Sequence, residues 1–191
     1  MTAYRIGDKP GAPLVLALDV DLTPYTAAAV TVGGVAFATT IDGADLRAAW
    51  PTTSVFTVAG LVPVSIVLTS TTLRLALDSE ALVVEDPQGW HTLASARSEW
   101  ADAPYDDVQL FELLEIAAGQ ALAYAPALII GARIPTAYAT GQLMQARNIW
   151  NASKVNPSGD MGDGSFVITP KPLDWMIKQI LRPKRAVPVM F

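Results

Sequence analysis

The sequence contains no cysteine and one histidine, His91. The first absence removes disulfides, thiolate catalysis and cysteine-held zinc or iron–sulfur centres. The second removes any metal site built from two histidines of one chain. Charge is also scarce. Charged residues make up 16% of the chain, against about a quarter in an average domain. With 51% hydrophobic residues, part of the surface is expected not to face water in the working state. The start, Met1-Thr2-Ala3-Tyr4-Arg5, lacks the basic opening and apolar run of a secretory signal. Two segments, 22–41 and 48–73, are uncharged and long enough to cross a bilayer. The first holds Pro24, Gly33 and Gly34; the second holds Pro51, Gly60 and Pro63 among many Ser and Thr. Both therefore read as β structure in a soluble protein, and no membrane partner is expected.

What charge there is lies unevenly. Residues 1–125 hold five bases and fifteen acids, a net of −10, whereas residues 126–191 hold eight bases and three acids, a net of +5. Such polarity suggests oriented contact with charged partners. The basic side chains are spread out except at Arg182, Lys184 and Arg185.

With 191 residues, the chain can form one large domain or two small ones. The fold class expected is α+β: an antiparallel β-sandwich over 1–92, then a small helical bundle over 93–191 with an extended C-terminal arm from about residue 183. Short strands are predicted at Tyr4-Arg5-Ile6, at 14–18, and on either side of the Gly33-Gly34 hairpin signal. Val64, Ile66 and Leu68 alternate with smaller residues, as do Leu73, Leu75 and Leu77 with Arg74, Ala76 and Asp78. That alternation means one buried face. Leu82-Val83-Val84 adds a further strand.

After residue 93 the hydrophobic period becomes helical. A short helix is predicted over 93–100 and a long one over 106–125. In the long helix Phe111, Leu114, Ala118, Ala121 and Ala125 form one stripe, and Asp106 and Asp107 sit at its positive end. A third helix runs from Pro135-Thr136 to about Lys154 with Ala139, Leu143, Ala146 and Trp150 inward. A Gly/Asp loop over 156–164 and a strand-like stretch over 166–169 follow. The last helix opens at Pro172, turns Leu173, Met176 or Ile177, and Ile180 inward, and stops at Pro183.

No catalytic constellation emerges from the residues. His91 has no Gly-x-Ser-x-Gly partner motif. The acid pairs Asp19-x-Asp21 and Asp106-Asp107, and Glu112 with Glu115, suit helix starts and solvated faces rather than a glycosidase cleft. The stretch "GDMGDG" lacks the alternating acids and closing Glu of a calcium loop. Five tryptophans spread along the chain suit packing better than base or sugar stacking. The expectation is a non-enzymatic structural protein without cofactor or metal. Its distinctive feature is the tail "DWMIKQILRPKRAVPVMF", which leaves a helix, adds bases and ends in apolar residues.

Three stretches together resemble the head-to-tail adaptor (connector) proteins of long-tailed bacteriophages. They are "WADAPYDDVQLFELLEIAAGQALAYAPAL", "IPTAYATGQLMQARNIWNAS" and the closing "FVITPKPLDWMIKQILRPKR". The likeness spans about residues 98–186. In the first half, "DLTPYTAAAVTV" and the strand ending Ala49-Trp50-Pro51 resemble immunoglobulin-like modules of phage baseplates. Many adaptors are helical only, so an N-terminal sandwich departs from the family pattern.

The resemblance implies a virion protein of the neck, assembled in the host cytoplasm. It implies a dodecameric ring of this chain beneath the portal protein. Packaged double-stranded DNA would pass through the ring without sequence recognition, and stopper and tail-completion proteins would follow below. It implies contact with the portal or a neighbouring subunit through Trp175, Ile180, Leu181, Arg182, Lys184, Arg185, Val187, Val189, Met190 and Phe191. The alternative reading is a baseplate or tail module that uses the sandwich for attachment or receptor contact.

Overall fold

Among the described residues, alternating apolar residues place seven strands in the first half of the chain. A computed structural model describes residues 3–129, 131–154 and 172–183, apart from the side chains of Ser79 and Glu80. The chain divides into two compact units, Met1–Asp86 and Pro87–Phe191. The division falls before the expected one because Trp90 packs into the helical core and the His91 N–H bonds Gln142 there.

The first unit comprises β1 (Tyr4–Arg5), β2 (Leu14–Ala17), β3 (Ala27–Val32), β4 (Val35–Asp42), β5 (Asp45–Ala49), β6 (Gly60–Thr69) and β7 (Arg74–Glu85). Their order is β1-β7-β6-β3-β4-β5-β2. All pairs are antiparallel except β1 with β7. Among the described residues this is one continuous sheet, not the two separate sheets of a sandwich. The reason lies in β4, whose first half, Val35 to Phe37, pairs with β3 while Ala38 to Asp42 pair with β5. One strand thus serves both halves, and the sheet curls around a shared core that includes Val30, Phe37, Leu46, Phe56, Ile66 and Leu82. An aromatic knot fills the concave side. Tyr4 stacks on Phe56 at 4.7 Å and meets Trp50 at 5.4 Å, and Phe37 lies edge-on to Trp50 at 5.1 Å. The Gly33-Gly34 turn has φ of 56° and 84°, the two positive values that a tight hairpin matching the strand twist requires.

The stretches read as two strands around Leu75 and Leu82 are one strand, β7, interrupted by a bulge. Its pairing steps from Val64↔Ser79 to Val62↔Leu82, so β7 spends one residue more than β6. Inward positions shift from Leu75 and Leu77 to Leu82 and Val84. A one-residue insertion exchanges the two faces of a strand, and here it keeps both apolar pairs on the core side. Pro63 stands opposite the irregularity, where no N–H is needed, and its carbonyl accepts the Gly33 N–H at 3.0 Å.

The second unit holds α1 (Leu93–Glu99), α2 (Asp107–Tyr124), α3 (Thr136–Lys154) and α4 (Trp175–Leu181). Thr92 and Ser95 form a capping box for α1, and Asp106 caps α2 by accepting the Gln109 N–H at 2.8 Å. The predicted stripe of α2 is buried, and so is a second row of Leu110, Leu113 and Ala117, because α2 packs against both α3 and α4. In α3 the expected Ala139, Leu143 and Ala146 are buried, while Trp150 is only half-buried. Two fully buried glutamines accompany them. Gln142 donates to the Leu114 carbonyl at 3.1 Å and accepts the His91 N–H at 3.0 Å; Gln145 donates to Gln120 at 2.6 Å.

Asp174 caps α4 through the Ile177 N–H at 2.9 Å and ties it to α3 through Asn148 at 2.9 Å. Leu173, Ile177 and Leu181 seat α4 against Ala121, Ala125 and Tyr138. The close approach runs over Gly141 of α3, where a Cβ would lie 3.0 Å from Leu181.

Candidate functional site

Two surfaces of the helical unit present chemistry that its own core does not use. The first is the outer face of α4. A seven-residue helix docked through positions 177 and 181 leaves positions 175, 176 and 179 outward. Trp175 is 69% exposed and Met176 56%. Arg182 follows, its guanidinium 5.0 Å from the centroid of the Tyr124 ring, with the Lys178 ammonium at 5.9 Å from the same ring. Cations over an aromatic face hold the end of α4 against the last turn of α2.

The ten residues expected to touch a partner therefore separate. Trp175 and Arg182 are outward and available. Ile180 is half-buried. Leu181 is 2% exposed and belongs to the core of its own unit, so the docking of α4 accounts for it. Lys184, Arg185, Val187, Val189, Met190 and Phe191 lie outside the described residues, as do the 156–164 loop and the 166–169 stretch.

The second surface is the turn that leads into α2. Trp100 is buried and its carbonyl accepts the Ala103 N–H at 3.1 Å; Ala103 and Pro104 are also buried. Arg97 clamps the turn, donating to the carbonyls of Pro104 at 3.1 Å and Tyr105 at 2.9 Å and pairing with Asp107 at 2.6 Å. The Trp-x-Asp-Ala-Pro motif is thus a folded lead-in whose anchors face inward. What it turns outward is Asp102, Asp106 and a completely exposed Tyr105. Together with Gln109, Trp150 and Lys154 they line a cleft of about 420 Å³, and the Lys154 ammonium sits 4.6 Å from the Trp150 ring centroid. Residue pattern alone did not single out this cleft, because Trp150 and Lys154 reach it from the far end of α3.

Of the acids considered for chemistry, Asp106 caps α2, Asp107 pairs with Arg97 and Asp21 accepts from Thr23. His91 is half-buried, with Nδ1 3.1 Å from the Ser95 hydroxyl. Burial holds its pKa below the ordinary histidine value; nearby Glu99 pulls it up and Arg147 pushes it down. His91, Glu99, Arg133, Thr136 and Thr140 line a separate cleft of about 550 Å³. No group of three metal-ligating side chains and no helix long and apolar enough to cross a membrane occurs among the described residues. No protein-family model, curated protein or solved structure matches the chain.

Proposed function

We propose that this chain is a structural virion protein, a head-to-tail adaptor whose copies form a ring beneath the portal and extend the DNA channel toward the stopper and tail. The observation that carries the reading is the outer face of α4: a short helix, fixed to its unit by Ile177 and Leu181, that presents Trp175 and Met176 to solvent and leads directly into the basic, apolar tail. Large aromatic and thioether side chains left outward at a chain end suit a buried contact with another protein. Val187, Val189, Met190 and Phe191 add apolar residues that together contribute on the order of 6–10 kcal/mol gross when buried on a partner, before the cost of ordering the segment. The acidic character of α2 suits a conduit, since strong phosphate contacts would retard DNA.

The test is electron microscopy of particles made when the gene is silenced in the virus that encodes it, followed by complementation with Trp175→Ser/Met176→Ser. DNA-free or leaking heads beside separate, complete tails are expected, with poor rescue by the double variant. Joined particles with a defective tail tip would instead assign the chain to the baseplate and give the working role to the β-sheet unit.

A further inference from the structure

We propose that the outer face of α4 of one copy docks antiparallel on the exposed face of α2 of a second copy, with Trp175 seated over Gly119 and Arg182 beside Glu112. The inference rests on the adaptor reading only in that copies of the chain adjoin one another, and it names the partner of the α4 face. Three observations carry it.

The first is a glycine that its own unit does not need. Gly119 lies exposed in the middle of α2, and a Cβ there would meet nothing within 4 Å among the described residues. A glycine inside a helix weakens it relative to alanine. At Gly141 the approach of Leu181 requires the missing side chain; at Gly119 no described neighbour does. A close approach from outside the copy is the use that remains.

The second is the face around that glycine. Glu112, Glu115, Ile116, Gly119, Leu122 and Ala123 recur at three and four, so they share one side of the helix. Each is exposed or half-buried, and Leu122 is 47% exposed. From Ile116 to its end at Tyr124 the helix carries no charge. A helix that is apolar all round is ordinarily covered all round.

The third is that α4 supplies the complement in charge and in spacing. α2 holds acids and no base, whereas Lys178 and Arg182 give α4 and its cap bases and no acid. Opposite its buried Ile177 and Leu181, α4 turns out Trp175, Gln179 and Arg182, at intervals of four and three, with Met176 beside them. On α2, Gly119, Glu115 and Glu112 repeat those intervals in reverse. Laid antiparallel, Trp175 over Gly119 sets Gln179 against Glu115 and Arg182 against Glu112. A parallel arrangement would carry Arg182 to Pro126 and leave both acids without a base. The Arg182 guanidinium lies 5.0 Å from the Tyr124 ring centroid, and a stacked guanidinium keeps its donor edge for a carboxylate. Within one copy Trp175 is 69% exposed and Gly119 stays uncovered, so the contact lies between copies. Such a contact is heterologous, the type that closes into a ring or propagates as a filament.

Two experiments on the full chain test this, both by sedimentation velocity from micromolar to millimolar protein. In the first, the natural chain should self-associate, and Gly119→Leu and Trp175→Ser should each weaken association by about tenfold or more. Gly119→Leu should nevertheless raise the urea midpoint, because leucine is the better helix former and the space is open. Undiminished association of Gly119→Leu, or a natural chain that stays monomeric at millimolar concentration, overturns the proposal.

The second pairs Glu112→Lys protein with Arg182→Glu protein. Each alone should associate weakly, because its α2 and α4 faces then carry like charge. Their equimolar mixture should recover association, since every contact between unlike copies again sets a base against an acid. A mixture no more associated than its components refutes the antiparallel pairing. Both readouts use purified protein, so they can fail while silenced particles still show unjoined heads and tails, and the reverse also holds.

Discussion

Gly141 offers a test in which two opposed effects can be separated. Replacing a helical glycine by alanine ordinarily stabilises the helix by about 1 kcal/mol. Here the new Cβ would lie 3.0 Å from Leu181 Cδ2, 3.3 Å from its Cγ and 3.6 Å from Ile177 Cγ2. The first two separations are too close, and overpacking of this kind costs about 1–3 kcal/mol. The helix gain stays with α3 whether or not α4 is docked, so the contact alone acts on docking: Gly141→Ala should weaken the docking of α4 by about 1–3 kcal/mol, a roughly fivefold or greater increase in its open population. Hydrogen exchange of α4 peptides in the full chain reads this directly.

The same substitution in a Leu181→Ala background should have the opposite sign. With the offending atoms gone, the nearest neighbour is Ile177 at an ordinary contact distance, and the helix gain of about 1 kcal/mol remains. Exchange of α3 peptides should then slow. This holds even if losing Leu181, itself a change of about 2–5 kcal/mol, releases α4 altogether. Equal effects in the two backgrounds would refute the argument that Gly141 is required by the approach of α4.

Three further outcomes follow from the helical unit. Asp174→Ala removes the cap and the Asn148 tie, so α4 should exchange faster by an amount corresponding to about 1 kcal/mol. Because the Ile177 N–H, first among its partners, holds the Asp174 carboxyl below its ordinary pKa, this contribution is present above the unfolded value near 4 and lost as pH falls through the lower folded value. Gln142→Leu leaves the His91 N–H bare and removes the additional donor to the Leu114 carbonyl, which keeps its bond within α2, so urea unfolding should show a loss of about 1–3 kcal/mol. His91 is held below the ordinary histidine value mainly by burial, so the unfolded chain takes up its proton first. Stability should therefore fall as pH drops below about 6.5 and level off below the folded value, and His91→Asn should flatten that slope in urea midpoints measured across the window.

The helices were legible because their apolar periods, acidic starts and proline stops agree with one another. Asp106 and Pro183 mark ends that the structure retains within a residue or two, whereas the last helix, expected to open at Pro172, begins only after its cap Asp174. The sheet was less so. β7 conceals a bulge, and a single added residue makes one strand resemble two in the alternation of Leu75, Leu77, Leu82 and Val84. The length of β4 was hidden because its second half, Ala38 to Asp42, earns its place by pairing with β5 rather than by a strong apolar pattern of its own. That shared strand is also why a sandwich was expected and one curled sheet is found. Gln142 and Gln145 escaped because a polar residue within a helical stripe gives no sign that it is buried and bonded. The α2 cleft escaped for a different reason: Asp102 and Tyr105 meet Trp150 and Lys154 only after two helices pack, and nothing in local spacing brings positions 102 and 154 together.

The pairing of β1 with β7 sets the order in which the two units can complete themselves. Tyr4 aligns with Val84, eighty residues later. Closing that span costs about 2.6 kcal/mol more entropy than closing a four-residue hairpin, since each doubling of length adds about 0.6 kcal/mol. On a ribosome, β1 waits until almost the whole first unit has emerged, and the Tyr4 ring waits with it. The helices of the second unit form from neighbouring residues and face no comparable delay. The slow step of folding is thus assigned to the N-terminal sheet, and the aromatic knot around Trp50 is the point at which that step ends.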